Sequence, residues 1–249
     1  MKKFLKWASF ILLGLLFLAI LAGWWVHEPR PEGYGSAAEA DSLARAMQMA
    51  VDDSAWDETG AVRWTFAGMN RHLWDRERSL AQVEWENVRV LVELGTQRGV
   101  AFVDGARADT GEEAELVKAA WAKWVNDSFW LNPIGKLFDE GTTRQLMRWE
   151  DGSEGLLISY RSGGTTPGDA YGWKLRTDGR PMRWKMWVSV IPIGGLEASW
   201  EGWQQLQTGV WVATQHQMGP VTLEMTELEG AATLEQLMPG KDPFAPLFR

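Results

Sequence analysis

The chain has no cysteine and only three histidines and three tyrosines in 249 residues. The missing cysteine excludes disulfides, thiolate nucleophiles and thiolate metal sites. It also excludes a lipobox-type lipid anchor, which needs a cysteine after the cleavage site. The histidines, His27, His72 and His216, are far apart, so no His-x-x-x-His or Glu-x-x-His helical spacing exists for a metal. There is no Gly-x-Ser-x-Gly elbow. The glycine-rich run "SGGTTPGD" (162–169) lacks the Gly-Lys-Ser/Thr ending of a phosphate loop and leads into an alternating segment, not a helix. It reads as a wide hairpin with a Pro167-Gly168 turn, or as a rim loop meeting a ligand or partner. No catalytic residue, metal or cofactor is expected. An enzyme would need ionisable groups clustered in the fold that no motif announces.

Tryptophan, by contrast, is abundant: seventeen residues in a chain that is 45% hydrophobic and 23% charged. That balance suits one globular domain with a sizeable core. The N-terminus is a separate object. Lys2, Lys3 and Lys6 precede "WASFILLGLLFLAILAGWWV" (7–26), twenty residues without a charge. As a helix this spans about 30 Å, the thickness of a bilayer's hydrocarbon core. Trp7 and Trp24-Trp25 stand where an interfacial aromatic belt sits, and the lysines favour a cytoplasmic N-terminus. Residues 1–26 are therefore expected to anchor the chain in a bacterial inner membrane as a single pass, with the rest in the periplasm. The rival reading is a cleaved signal sequence, against which the bulky Trp24-Trp25 after "LAG" argues. Without the three lysines the net charge goes from −8 to −11. So acidic a domain is not drawn to nucleic acid or anionic headgroups, and a lipid would be met through apolar surface.

Residues 27–36 read as a Pro- and Gly-containing tether, 37–230 as the folded domain and 231–249 as a tail whose Phe244, Leu247 and Phe248 dock on a sheet edge or on a partner. Residues 37–51 keep apolar side chains at helical spacing. From about 61 the period becomes two: Val62, Trp64 and Phe66; Val88, Val90 and Val92; Tyr171, Trp173 and Leu175; Met182, Trp184 and Met186; Val221, Leu223 and Met225. This is the pattern of antiparallel strands with one apolar face. Asp104-Gly105, Asp151-Gly152 and Asp178-Gly179 supply hairpin turns. One helix interrupts the strands. Thr110 and Glu113 suggest a capping box, and Val117, Trp121, Trp124 and Ser128 fall on one side. The expected fold is mainly β (α+β): a curved antiparallel half-barrel of about eleven strands, with helices laid across its concave side as a lid.

This element order, over roughly 37–228, resembles the lipoprotein-localisation (Lol-type) carriers and receptors of the bacterial envelope. The resemblance implies a curved sheet around a hydrophobic cavity. It departs from the lipidated receptor in having no anchor cysteine. The strings "LWDRER" (73–78), "WVNDSFWLNPIGKLFDEG" (124–141) and "SGGTTPGDAYGW" (162–173) are similar to a group of uncharacterised bacterial envelope proteins, which brings no activity with it.

The candidate ligand cavity is lined by Trp64, Phe66, Trp121, Trp124, Phe129, Trp130, Trp173, Trp184 and Met186, aromatics and an adaptable Met that suit an acyl chain or other lipophilic ligand. The same residues would serve equally to fill the barrel. A polar network of Asp75, Arg76, Asn126, Asp127 and Asp169 is expected at the lid hinge, with Asp127 pairing with Arg76 or Arg144. Trp187 and Trp203 fall on the polar phase of their strands, where stacking on a glycan or cover by a partner are both open. The expectation is thus a membrane-tethered periplasmic domain that binds a lipid or other hydrophobic small molecule. The alternative is a filled, non-catalytic module that binds a protein partner in an envelope complex.

Overall fold

The computed structural model describes residues 27–162 and 167–248. The candidate membrane span at 7–26 lies outside the described residues, and among those described no helix is long and apolar enough to cross a membrane. The chain is mainly β, in antiparallel sheets that do not close into a barrel.

Helix α1 (Ala37–Ala50) begins at a complete capping box, with Ser36 and Glu39 satisfying each other's backbone amides. A hairpin ladder follows: β1 (Ala61–Phe66), β2 (Asn70–Asp75), β3 (Leu80–Trp85), β4 (Val88–Glu93), β5 (Arg98–Val103) and the two-residue β6 (Ala106–Arg107). At the β5–β6 turn Asp104 and Gly105 both take positive φ, the conformation this turn chemistry favours. Helix α2 (Thr110–Leu131) comes next. Then come β7 (Thr142–Arg148), β8 (Glu154–Tyr160), β9 (Ala170–Leu175), β10 (Pro181–Trp187) and β11 (Leu196–Ser199). The short β12 (Gln204–Gln205), β13 (Trp211–Val212) and β14 (Gln215–Met218), the long β15 (Val221–Ala231) and the one-turn α3 (Leu234–Leu237) complete the fold.

The first sheet runs β14-β15-β1-β2-β3-β4-β5-β6, the second β11-β10-β9-β8-β7, and β12-β13 form a small ribbon. The two large sheets meet at one antiparallel bridge, Glu201 with Gln215. The described residues thus form fifteen strands where the period-two pattern predicted about eleven. The extra strands are short pieces of the segments 195–204 and 208–217, which break up around Gly202 and Gly209, both at positive φ.

Alternation set most of the faces correctly, although Val221, on the apolar phase of its strand, is exposed. Val62, Trp64, Phe66, Trp173, Trp184 and Met186 point into a single core, which also takes Ala40, Ala44 and Met47 of α1. Met182 was expected inward but is exposed, because a bulge between Pro181 and Arg183 shifts the register and turns it out.

Both outer faces are covered by the chain's ends. Residues 27–34 are a strap along the second sheet, not a loose tether. Glu28 N–H donates to Gly194 O at 2.9 Å, Tyr34 pairs with Leu146, and the buried Lys185 ammonium pairs with Glu28 at 2.5 Å and with Glu150. A Cβ on Gly194 would sit 2.7 Å from the Glu28 carbonyl, so the strap lies close only because that residue is glycine. Trp187 is buried beneath the strap and donates its indole N–H to Glu28 O at 2.9 Å, and Trp203 packs half-buried on the core. Neither is an open platform for a sugar. Glu197 stands opposite Lys185 in the β10–β11 ladder, while its carboxylate pairs with Arg183 at 2.8 Å. The tail covers the first sheet: Phe244 is fully buried against Ala61, Leu73, Leu80 and Leu91, and Arg78 clamps Asp242 through two bonds of 2.9 Å.

His216 of β14 lies at the seam between the sheets, 4.4 Å from the Trp200 ring and 5.1 Å from that of Trp130. Burial pushes its pKa down to about 4, although hydrogen bonds to the Ser199 and Ala213 backbone oppose the shift. Its imidazole is neutral in the fold, and in the unfolded chain it takes a proton near pH 6.5. Stability therefore falls as pH drops from about 6.5 towards 4, by up to about 3 kcal/mol from this residue. Urea denaturation at pH 7 and pH 4.5 checks this, with a smaller difference expected in His216→Gln.

Candidate functional site

Helix α2 builds the site. Asp109, not Thr110, is its N-cap: the Asp109 carboxylate accepts from Gly111 N–H and Glu112 N–H. Glu113 is drawn away from a capping box by Arg107, at 3.0 Å, and by the Ala101 amide. The helix then runs on through "NDSFWL" to end at Asn132, ahead of Pro133. Val117 and Ala120 seat its first half on Val83, Val90 and Ala101. Trp130 and Leu131 enter the main core at the other end.

Between these anchors, Trp121, Trp124, Val125 and Ser128 stand at i, i+3, i+4 and i+7. They form one stripe along the wall of a cavity of about 840 Å³. The opposite wall is Tyr160 at the end of β8 with Asp169 and Tyr171 at the start of β9. Trp74 and Arg76, at and beyond the end of β2, and Leu94 after β4 make the third side, and Lys136, Asp139 and Glu140 lie on the rim. The aromatic rings brace one another. Trp74 meets Trp124 edge-on at 5.2 Å, and Phe129 lies 5.6 Å from Tyr160 and 5.0 Å from Tyr171.

Of the expected cavity residues, Trp121, Trp124 and Phe129 line it, as do Arg76, Asn126 and Asp169 from the expected polar network. Trp64, Phe66, Trp130, Trp173, Trp184 and Met186 do not: they are buried in the packed core. There Trp184 lies within 5.0 Å of the Trp130, Tyr171, Trp173 and Trp200 rings, which leaves those side chains to one another. Trp74, Tyr160, Lys136, Asp139 and Glu140 are lining residues that periodicity did not single out, and Tyr171, on the apolar phase of its strand, lines the cavity without having been expected there. Tyr160 and Tyr171 do share the inward phase of their strands, and two of only three tyrosines at the ends of adjacent strands is a signal that was available.

The polar network is redistributed. Asp127 is 2% exposed and reaches neither Arg76 nor Arg144. It pairs with His72 Nε2 at 2.7 Å, while Asn70 Nδ2 and Asn126 Nδ2 each donate to it at 2.8 Å. His72, isolated in sequence, is stacked on Trp64 at 4.5 Å. Its Nδ1 is buried without a hydrogen-bond partner, so no hydroxyl stands there as a nucleophile among the described residues. Arg76 instead donates to the carbonyls of Trp56 and Thr59, and Arg144 pairs with Asp41 at 2.5 Å. Asp75 pairs with Arg78 at 2.6 Å on the outer face. Asp169 Oδ1 accepts from the Ser189 amide at 2.9 Å. No group of three His, Asp or Glu residues among the described residues is placed to hold a metal.

Comparison with known proteins places few limits on this site. No family model matches the chain, and no curated protein matches it. Among solved structures it is similar to a DUF1329 family protein from Desulfovibrio piger, with 11% sequence identity and a TM-score of 0.42 over 79% of this chain and 94% of that one.

Proposed function

We propose that this chain is a membrane-tethered periplasmic domain that holds a hydrophobic ligand, a lipid or acyl chain, in the cavity beside α2. In this reading the two sheets are a Lol-like half-barrel and α2 is its lid, with residues 1–26 as the inner-membrane anchor. The observation that carries the reading is the cavity itself: about 840 Å³, with six indole, phenyl and phenol rings in its wall beside Leu94 and Val125, and polar and charged side chains among them. That is the size and chemistry of a small-molecule site. Each methylene buried there contributes about 0.8 kcal/mol, so a chain of several carbons binds usefully. A second reading, a partner-binding module of an envelope complex, draws its support from the packed aromatic core, which fills the middle of the fold.

Photoaffinity labelling distinguishes the two. Cells making the full chain are fed a diazirine-bearing long-chain alcohol, irradiated, and the labelled peptides mapped. The expected label falls on residues 121–129 or 160–171. Trp121→Ser is expected to reduce it severalfold while costing only about 1–2 kcal/mol of stability, since this tryptophan is half-buried. A label confined to residues 1–26, or unaffected by the substitution, would sink the ligand reading.

A further inference from the structure

The cavity's lining has a sign as well as a shape. Six aromatic rings border it, those of Trp74, Trp121, Trp124, Phe129, Tyr160 and Tyr171. The face of such a ring is electron-rich and attracts a cation, most strongly where water is excluded. Trp74 already does so, with the Arg76 guanidinium 5.4 Å from its ring centroid and 4.5 Å from that of Trp56.

The charged groups of the lining are three carboxylates, Asp139, Glu140 and Asp169, against two cations, Arg76 and Lys136. Both cations are committed. Arg76 donates to two backbone carbonyls and has Asp57 and Asp53 as charge neighbours. Lys136 pairs with Asp139 at 3.4 Å. Burial, Tyr171 and then Asp139 push the Tyr160 phenol up, against Arg144, and burial and then Asp169 push Tyr171 up. Among the described residues the buried Tyr160 hydroxyl has no hydrogen-bond partner.

We infer that the cavity selects a lipophilic cation, an alkylammonium group carried on a hydrophobic body, over neutral or anionic molecules of the same size. The inference rests on the ligand-binding reading above and adds the chemical class of the ligand. Aromatic walls supply the apolar contact and the ring faces, while Glu140 and Asp169 supply the net negative potential that a quaternary ammonium needs and an anion would oppose.

The test uses the full chain in lipid nanodiscs, with empty nanodiscs subtracted, and equilibrium dialysis of three matched probes: benzyltrimethylammonium, its uncharged isostere neopentylbenzene, and phenylmethanesulfonate. The cation is expected to bind about tenfold more tightly than either of the others. Asp169→Asn keeps an oxygen for the Ser189 amide, and is expected to weaken the cation about threefold without changing the neutral probe. If the neutral probe or the sulfonate binds as tightly as the cation, the cation inference is overturned and the hydrophobic site stands. If none of the three binds to a chain that circular dichroism shows to be folded, both fall together.

Discussion

Trp184→Ala is expected to cost about 3–5 kcal/mol, the range for truncating a large aromatic in a closed core. Trp184 is fully buried on β10. Its ring lies 4.7 Å from Trp130 of α2, 4.7 Å from Tyr171, 4.8 Å from Trp173, 5.0 Å from Trp200 and 6.0 Å from Phe129. These rings are too large and too interlocked to collapse into the space, so the transfer term and the cavity term add. A domain of this kind is stable by only about 5–15 kcal/mol, so the loss removes about a fifth or more of the total. Urea denaturation followed by tryptophan emission measures it. The contrast with Trp121→Ser separates the two roles that the sequence could not: a core ring should cost stability first, a cavity ring should cost ligand first. A Trp184→Ala protein of near-native stability that lost ligand would move the site into the core and contradict the packing described.

That the two roles were confounded in sequence has a physical cause. Alternation reports which face of a strand points inward, and it did so correctly for Trp64, Phe66, Trp173 and Trp184. It does not report how far along the strand the space between the sheets is filled. Here the middle of the fold is packed solid by Trp130, Trp173, Trp184 and Trp200, and the cavity opens where Tyr160, Tyr171 and Trp74 meet the flank of α2. Helical spacing did place Trp121 and Trp124 on the cavity wall, because the 3.6-residue period fixes a helix face locally. What escaped were long-range pairings. His72 and Asp127 are 55 residues apart, and nothing local in either segment announces the other. The strap at 27–34 escaped likewise. "HEPRPEGYG" has the composition of a linker, and it becomes structure only because Gly194, Leu146 and Trp187 offer it partners. The strand count came out higher than the pattern implies because Gly202 and Gly209 break the ladder into short pieces after 195.

The His72–Asp127 pair should dominate the attachment of α2 to the first sheet. Asp127→Ala is expected to cost about 3–5 kcal/mol, since it strips the partner from a buried group and leaves the amides of Asn70 and Asn126 without their acceptor. The pair's own net contribution is smaller. Both side chains are nearly fully buried, at 0% and 2% exposure, so much of their attraction offsets the cost of leaving water. A cycle of His72→Phe, Asp127→Leu and the double variant exposes this. The double variant is expected to recover at least half of the larger single loss, because no charge is then left buried and unpaired. Lys123→Ala provides the calibration. It removes a 3.1 Å bond to Asn70 Oδ1 from a partly exposed position, and should cost less than about 1 kcal/mol. Hydrogen exchange adds the spatial readout. In Asp127→Ala, amides of residues 121–131 should exchange faster while those of β8 to β10 keep their protection, since the helix would loosen without the second sheet opening. Uniform loss of protection across both sheets would mean that α2 is part of the cooperative core, and a helix so embedded could not open the cavity to admit a ligand.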